Sequence, residues 1–77
     1  MDMTLDQLPP CKRARVTALL PDSTMRDRLQ DLGLTPGGEV TALMKSPLGD
    51  PVAYLICGAV IALRRRDAVY ITVTPKP

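Results

Sequence analysis

Two thiols, seven aspartates, one glutamate and ten basic side chains are the groups in this 77-residue chain that could do chemistry. There is no histidine, so the usual general base and the commonest metal ligand are missing. The glutamate is Glu39, and the aspartates are scattered from Asp2 to Asp67. No Cys-x-x-Cys, phosphate-cradling Gly-x-x-x-x-Gly-Lys or Gly-x-Ser-x-Gly elbow occurs. A metal buffer or sensor would need several convergent ligands drawn from Cys11, Cys57 and the aspartates, and their spacing gathers none. Asp50, in a loop, would need oxygen partners that the sequence does not supply nearby. The chain therefore reads as non-enzymatic and without a cofactor.

Cys11 and Cys57 are the only cysteines, and a single bridge would be a sparse framework for a secreted domain. Met1 to Pro10 carries two aspartates, no basic residue and no apolar run, which predicts no secretory leader. The expectation is a cytoplasmic protein with reduced thiols, both serving as small apolar core or edge residues.

Charge is uneven along the chain. Residues 1–38 are balanced, whereas residues 39–77 carry the whole excess of +2, essentially the triplet Arg64, Arg65 and Arg66. That excess is too small to imply nucleic acid. Single-strand binders also need aromatic stacking platforms, and Tyr54 and Tyr70 are the only aromatic residues. The triplet reads either as a solvated strand end or as a contact for an acidic partner surface or anionic headgroups. Strand alternation puts Arg64 and Arg66 on one face and Arg65 on the other.

The elements that must position these groups are short, because 8 prolines punctuate the chain. With no Phe or Trp and 20 Leu, Ile and Val residues, the core is expected to be aliphatic. Thr4-Leu5-Asp6-Gln7 has capping-box form and predicts a helical lead-in that lays Leu5 and Leu8 on the core. Arg13–Leu20 alternates as a half-buried strand, with Val16, Ala18 and Leu20 on one face. Ser23–Leu32 predicts a helix capped by Asp22 or Ser23, with an apolar stripe of Met25, Leu29 and Leu32. Gly33 stands where a left-handed helix stop is wanted, and Pro36-Gly37 signals a type II turn.

Glu39–Lys45 alternates again, with Val40, Ala42 and Met44 on one face. Ser46–Pro51 is a hairpin loop, in which Asp50 is expected to hold the turn with its own side chain. The uncharged run Pro51–Leu63 is too short for a membrane span. It predicts two strands, Val52–Cys57 and Val60–Arg64, about a Gly58-Ala59 turn. Arg65–Val69 suggests a single 3₁₀ turn, and Tyr70–Thr74 a last strand. The order predicts one mainly β domain over residues 1–77: a small five-stranded antiparallel barrel, one α-helix between strands 1 and 2, and a helical lead-in. Closure would hide the sheet edges.

Three blocks of this layout resemble the ferrous iron transport protein A family, FeoA. The helix exit Leu29-x-x-Leu32-Gly33-Leu34-Thr35-Pro36-Gly37 is similar to that family's Leu-Gly-Leu-x-Pro-Gly signature. Pro47-Leu48-Gly49-Asp50-Pro51 is similar to its hairpin loop, and Gly58 with Ile61-Ala62-Leu63-Arg64 to its Gly-x-x-x-Ala-Leu-Arg stretch. The resemblance runs from Leu5 to Val73. It implies an SH3-like barrel and a cytosolic accessory role in bacterial ferrous iron uptake, at the inner face of the membrane beside FeoB, a transporter with a cytosolic GTP-binding domain. A similar domain follows the DNA-binding module of metal-dependent repressors, for which this chain has no room. Cys11, Cys57 and the arginine triplet are not part of the signature, which supplies no metal site.

Each block also has a plain backbone reading. Gly33, Pro36 and Gly37 stop a helix and turn the chain. The functional reading is that Met25, Leu29, Leu32 and Leu34 form an apolar rim for a partner, with Arg64, Arg65 and Arg66 as a second candidate surface. Leu34, just past the helix stop, is expected to point outward, whereas Leu29 and Leu32 are expected in the core.

Overall fold

The computed structural model describes residues 2–19 and 23–76, the side chains of Ser23, Thr24 and Met25 excepted. Strand β1, Met3–Thr4, leads into a 3₁₀ turn at Leu5–Gln7. The Thr4 N–H donates to Gln7 Oε1 at 3.2 Å, the back-reaching half of the capping box. Leu5 and Leu8 are both buried. The pairing of Met3 with Val73 and Thr4 with Thr72 makes this lead-in a sixth strand, where five were expected.

Strand β2, Arg13–Leu19, buries Ala14 and Val16 while Arg13 and Arg15 face solvent. The expected face then breaks. Between Val16 and Ala18 the register against the last strand shifts, and the extra residue turns Ala18 outward and brings Leu19 half inward. Thr17 stands at the shift, its hydroxyl donating to the Thr72 carbonyl at 3.2 Å. Strand β3, Glu39–Lys45, does the same. Val40 and Ala42 are buried, a shift follows between Ala42 and Met44, and Met44 is exposed rather than inward. A strict period of two fails at both places, because a bulge reverses the phase of every later residue.

Helix α1, Ser23–Asp31, joins β2 to β3. Its cap at Asp22 or Ser23, the Met25 side chain and the end of β2 at Leu20 lie outside the described residues. Strands β4, Val52–Ile56, and β5, Ala59–Leu63, form a hairpin in which Ile56 pairs with Ala59. The two-residue turn is therefore Cys57-Gly58, one position earlier than expected. Both residues have positive φ, 50° and 81°, which is the type I′ condition that matches strand twist.

Arg65–Ala68 is a short α-helix, α2, in place of the expected 3₁₀ turn: Ala68 N–H reaches the Arg64 carbonyl and Val69 N–H the Arg65 carbonyl, both one full α turn back. Strand β6, Ile71–Pro75, starts one residue later than predicted.

The fold is mainly β, with all pairs antiparallel in the order β1-β6-β2-β3-β4-β5. The expected closed barrel is corrected here, because β1 and β5 are free ends of one open sheet. β1 offers only two residues, both used on β6. The two ends are instead linked by side chains: Asp6, after β1, lies 3.6 Å from Arg65 Nε, after β5.

The buried core is aliphatic apart from Tyr54. The Tyr54 hydroxyl points at the Leu5 carbonyl at 3.4 Å, a long contact for a buried phenol. Burial, then the negative charges of Asp6 and Asp50, push Tyr54 up to about 12.

Candidate partner-docking site

The helix exit is built by backbone chemistry. Gly33 has φ +97°, a conformation that costs little only without a Cβ. Its N–H donates to the Gln30 carbonyl at 2.9 Å, and the Leu34 N–H donates to the Leu29 carbonyl at 3.0 Å. These two bonds make a Schellman motif, which returns the residue after the glycine onto the last turn of the helix. Leu34 is accordingly 1% exposed, as is Leu29. The outward Leu34 expected from sequence is corrected: its place in the motif makes it core. Leu32 is half-buried.

The chain beyond β5 is set by a carboxylate from another loop. Asp50 Oδ1 accepts the Arg65 N–H at 2.8 Å, satisfying one of the amides that the start of a helix leaves unpaired. Asp50 thus anchors α2, where it was expected to hold its own turn; the loop is closed by backbone bonds, Ser46 N–H to the Pro51 carbonyl and Gly49 N–H to the Ser46 carbonyl. With α2 so placed, the triplet divides. Arg65 turns toward Asp6, beside a hollow that also holds Lys45 and Tyr54. Arg64 and Arg66 turn the other way.

Between α1 and β5 lies a groove of about 260 Å³. Leu29 and Leu32 form its helix side, and Ile61, Ala62 and Leu63 its strand side. Arg28, Arg64 and Arg66 stand around it, with Asp67 as the one carboxylate. All three arginines are exposed, so their charges reach solvent at the mouth of the cleft.

The structure brings Leu29, Leu32, Arg64 and Arg66 to this groove, removes Leu34 to the core and sends Arg65 to the neighbouring hollow. Arg28, Ile61 and Asp67 were not singled out from sequence. For Arg28 a signal existed, since Arg28 and Leu32 are four apart and share a helix face. Ile61 lies in the third block of the family resemblance, but neither it nor Asp67 carried a sign that it would approach α1, because that approach is set by tertiary packing.

The cysteines stand apart from one another. Cys11 and Cys57 are free and exposed, and each has positive φ, 68° and 50°. Cys11 N–H donates to the Ala42 carbonyl at 2.7 Å. Among the described residues no three Cys, Asp or Glu side chains gather around a point where a metal ion could sit. No helix among them is long and apolar enough to cross a membrane.

Comparison with known proteins matches the FeoA domain over residues 3–75. The solution structure of the FeoA protein from Chlorobium tepidum is 38% identical with a TM-score of 0.87, covering 95% of this chain and 70% of that one. The crystal structure of Stenotrophomonas maltophilia FeoA complexed with zinc is 30% identical with a TM-score of 0.83, covering 94% and 89%; it is described as an SH3 domain protein. A manganese-dependent transcriptional repressor shares the fold alone, at 16% identity and TM-score 0.88 over 97% of this chain and 41% of that one. No curated protein matches.

Proposed function

The chain belongs to the FeoA family, linked to ferrous iron transport, and from that premise we propose that it is a cytosolic accessory protein of bacterial iron uptake. In this reading it binds the cytosolic side of the FeoB transporter, which holds it at the inner face of the membrane, and regulates or helps assemble it. It performs no catalysis of its own. The observation that carries the reading is the groove between α1 and β5, which sets apolar side chains from both elements among three guanidinium groups and one carboxylate. Such a surface suits a protein partner: Leu32, Ile61 and Ala62 keep apolar area that a partner can bury, and the charged rim supplies orientation and rate. Co-purification with tagged FeoB, with crosslinker and a GTP analogue present, should recover the chain. Its absence from the eluate under those conditions defeats the reading.

A second reading, metal contact, is favoured by the zinc held by the S. maltophilia relative. Anaerobic titration calorimetry with ferrous iron separates the two. The absence of gathered ligands among the described residues supports weak or no binding, and a stoichiometric submicromolar site would make iron binding the primary activity.

A further inference from the structure

The groove borders an open sheet edge. β5 ends the strand order, and its pairing fixes which backbone groups are spare. In a two-residue hairpin the flanking pair, Ile56 and Ala59, exchanges both hydrogen bonds, and the pattern alternates from there. Ile61 and Leu63 therefore bond toward β4, while the N–H and C=O groups of Val60 and Ala62 point away from it. Among the described residues these groups meet no other backbone partner. Val60 is 67% exposed. Proteins usually blunt such an edge with a charge, a proline or a bulge; Ala59–Leu63 contains none of these, and its first charge is Arg64.

We propose that an extended, acidic segment of a partner protein adds to β5 as a further strand, lying in the groove between β5 and α1. This rests on the partner reading above and specifies the chemistry of the segment. Its backbone bonds to Val60 and Ala62. Its apolar side chains pack on the half-buried Leu32 and Ile61, and its carboxylates meet Arg28, Arg64 and Arg66. Charge complementarity selects this occupant. A second copy offering its own β5 would bring AVIAL followed by three more arginines and a single carboxylate, Asp67, so that a net positive segment would meet a net positive groove. A lipid surface would match the arginines and leave the edge amides unpaired. Strand addition of this kind takes affinity from main-chain bonds and specificity from alternate side-chain pockets.

The test uses the full chain and a short synthetic peptide of alternating valine and glutamate, read by residue-resolved amide hydrogen exchange. The peptide should slow exchange at Val60 and Ala62 by roughly tenfold. The double variant Arg28→Glu/Arg66→Glu should weaken peptide binding by about fivefold or more. Val60→Pro, which deletes one edge donor, should weaken it independently, and thermal melts of both variants establish that they fold. Equal protection by a valine–lysine peptide overturns the proposal. So does protection by phosphatidylglycerol vesicles alone, which assigns the surface to lipid, or protection that rises with protein concentration alone, which assigns it to a second copy. Recovery with tagged FeoB separates the two readings. If wild type is recovered and both folded variants are recovered equally, the edge site fails and the FeoB reading stands. If the peptide protects while wild type is not recovered, the FeoB reading fails and the edge site stands.

Discussion

The Sγ of Cys57 lies 3.6 Å from the carbonyl oxygen of Gly33. This contact seats the β4–β5 turn on the exit of α1, and it leaves no room for a side chain there. A Cβ on Gly33 would stand 2.8 Å from that sulfur, whereas one on Gly37 would meet nothing within 4 Å. Both glycines have positive φ, 97° and 91°, so both alanine variants carry the left-handed cost of roughly 1–2 kcal/mol. Gly33→Ala should therefore destabilise the fold more than Gly37→Ala in urea unfolding. Removing the sulfur should close part of the gap, so Gly33→Ala is expected to cost less in a Cys57→Gly background. Equal costs for the two alanine variants would mean that the turn moves freely off the helix exit.

The Schellman motif gives Leu34 a structural assignment that melting can check. Leu34→Ala removes a fully buried side chain and should cost about 2–5 kcal/mol. Leu48, 93% exposed in the hairpin loop, is the matching surface leucine, and Leu48→Ala should change stability by less than about 0.5 kcal/mol. Leu34→Asp should fail to fold. A folded Leu34→Asp protein with near-normal melting would place the residue outside the core.

Much of this architecture was legible in the residues, and each failure has its own physical cause. Helix α1 was legible because Leu29 and Leu32 keep helical spacing and Gly33 marks the stop. The same glycine also held the answer for Leu34, since the residue after a left-handed stop folds back onto the helix; the motif was visible but its consequence for burial was missed. Met44 and Ala18 were misplaced because a bulge leaves no mark in a run of alternating residues, and each lies just past one. The Cys57-Gly58 turn was misread by one position because cysteine is not a residue that advertises positive φ. The groove was half legible: Arg64 and Arg66 stood out as charge, but their meeting with Arg28 depends on α2, which Asp50 anchors from a distant loop.

That anchoring is testable at Asp50. Asp50→Ala leaves the Arg65 N–H without its acceptor and removes a carboxylate from the start of α2. A capping loss of this kind costs about 0.5–2 kcal/mol. Asp50→Asn keeps an oxygen acceptor in place and should retain most of the stability. The division of the triplet should follow: in Asp50→Ala, NMR shifts of Arg65 and Arg66 amides should move, while those of Ala14 and Val16 in β2 should not. If Asp50→Ala melts like wild type with those amides unmoved, α2 is held by packing of Ala68 and its neighbours alone.

The buried phenol of Tyr54 ties stability to alkaline pH. Its ordinary value of 10.0 is pushed up to about 12, first by burial and then by the negative charges of Asp6 and Asp50. The neutral form is thus the one the fold holds, and the ionised form is the one the unfolded chain adopts first. A group raised in the folded state contributes its full stability below the unfolded value and loses it as pH climbs through the folded one. Stability should therefore be flat across this group's influence up to pH 10 and decline between pH 10 and about 12. A tenfold difference in proton affinity between the folded and unfolded chain is worth about 1.4 kcal/mol, a large share of the margin of a domain this small. The measurement is a Tyr70→Phe variant, which leaves Tyr54 as the only tyrosine, followed in parallel by phenolate absorbance and by circular dichroism. Ionisation and unfolding should coincide. Tyr54→Phe removes the ionisable group, and its melting temperature should fall less steeply over the same interval. Ionisation of Tyr54 near pH 10 in a chain that is still folded would show that water reaches the phenol, and that the core is open beside Leu5.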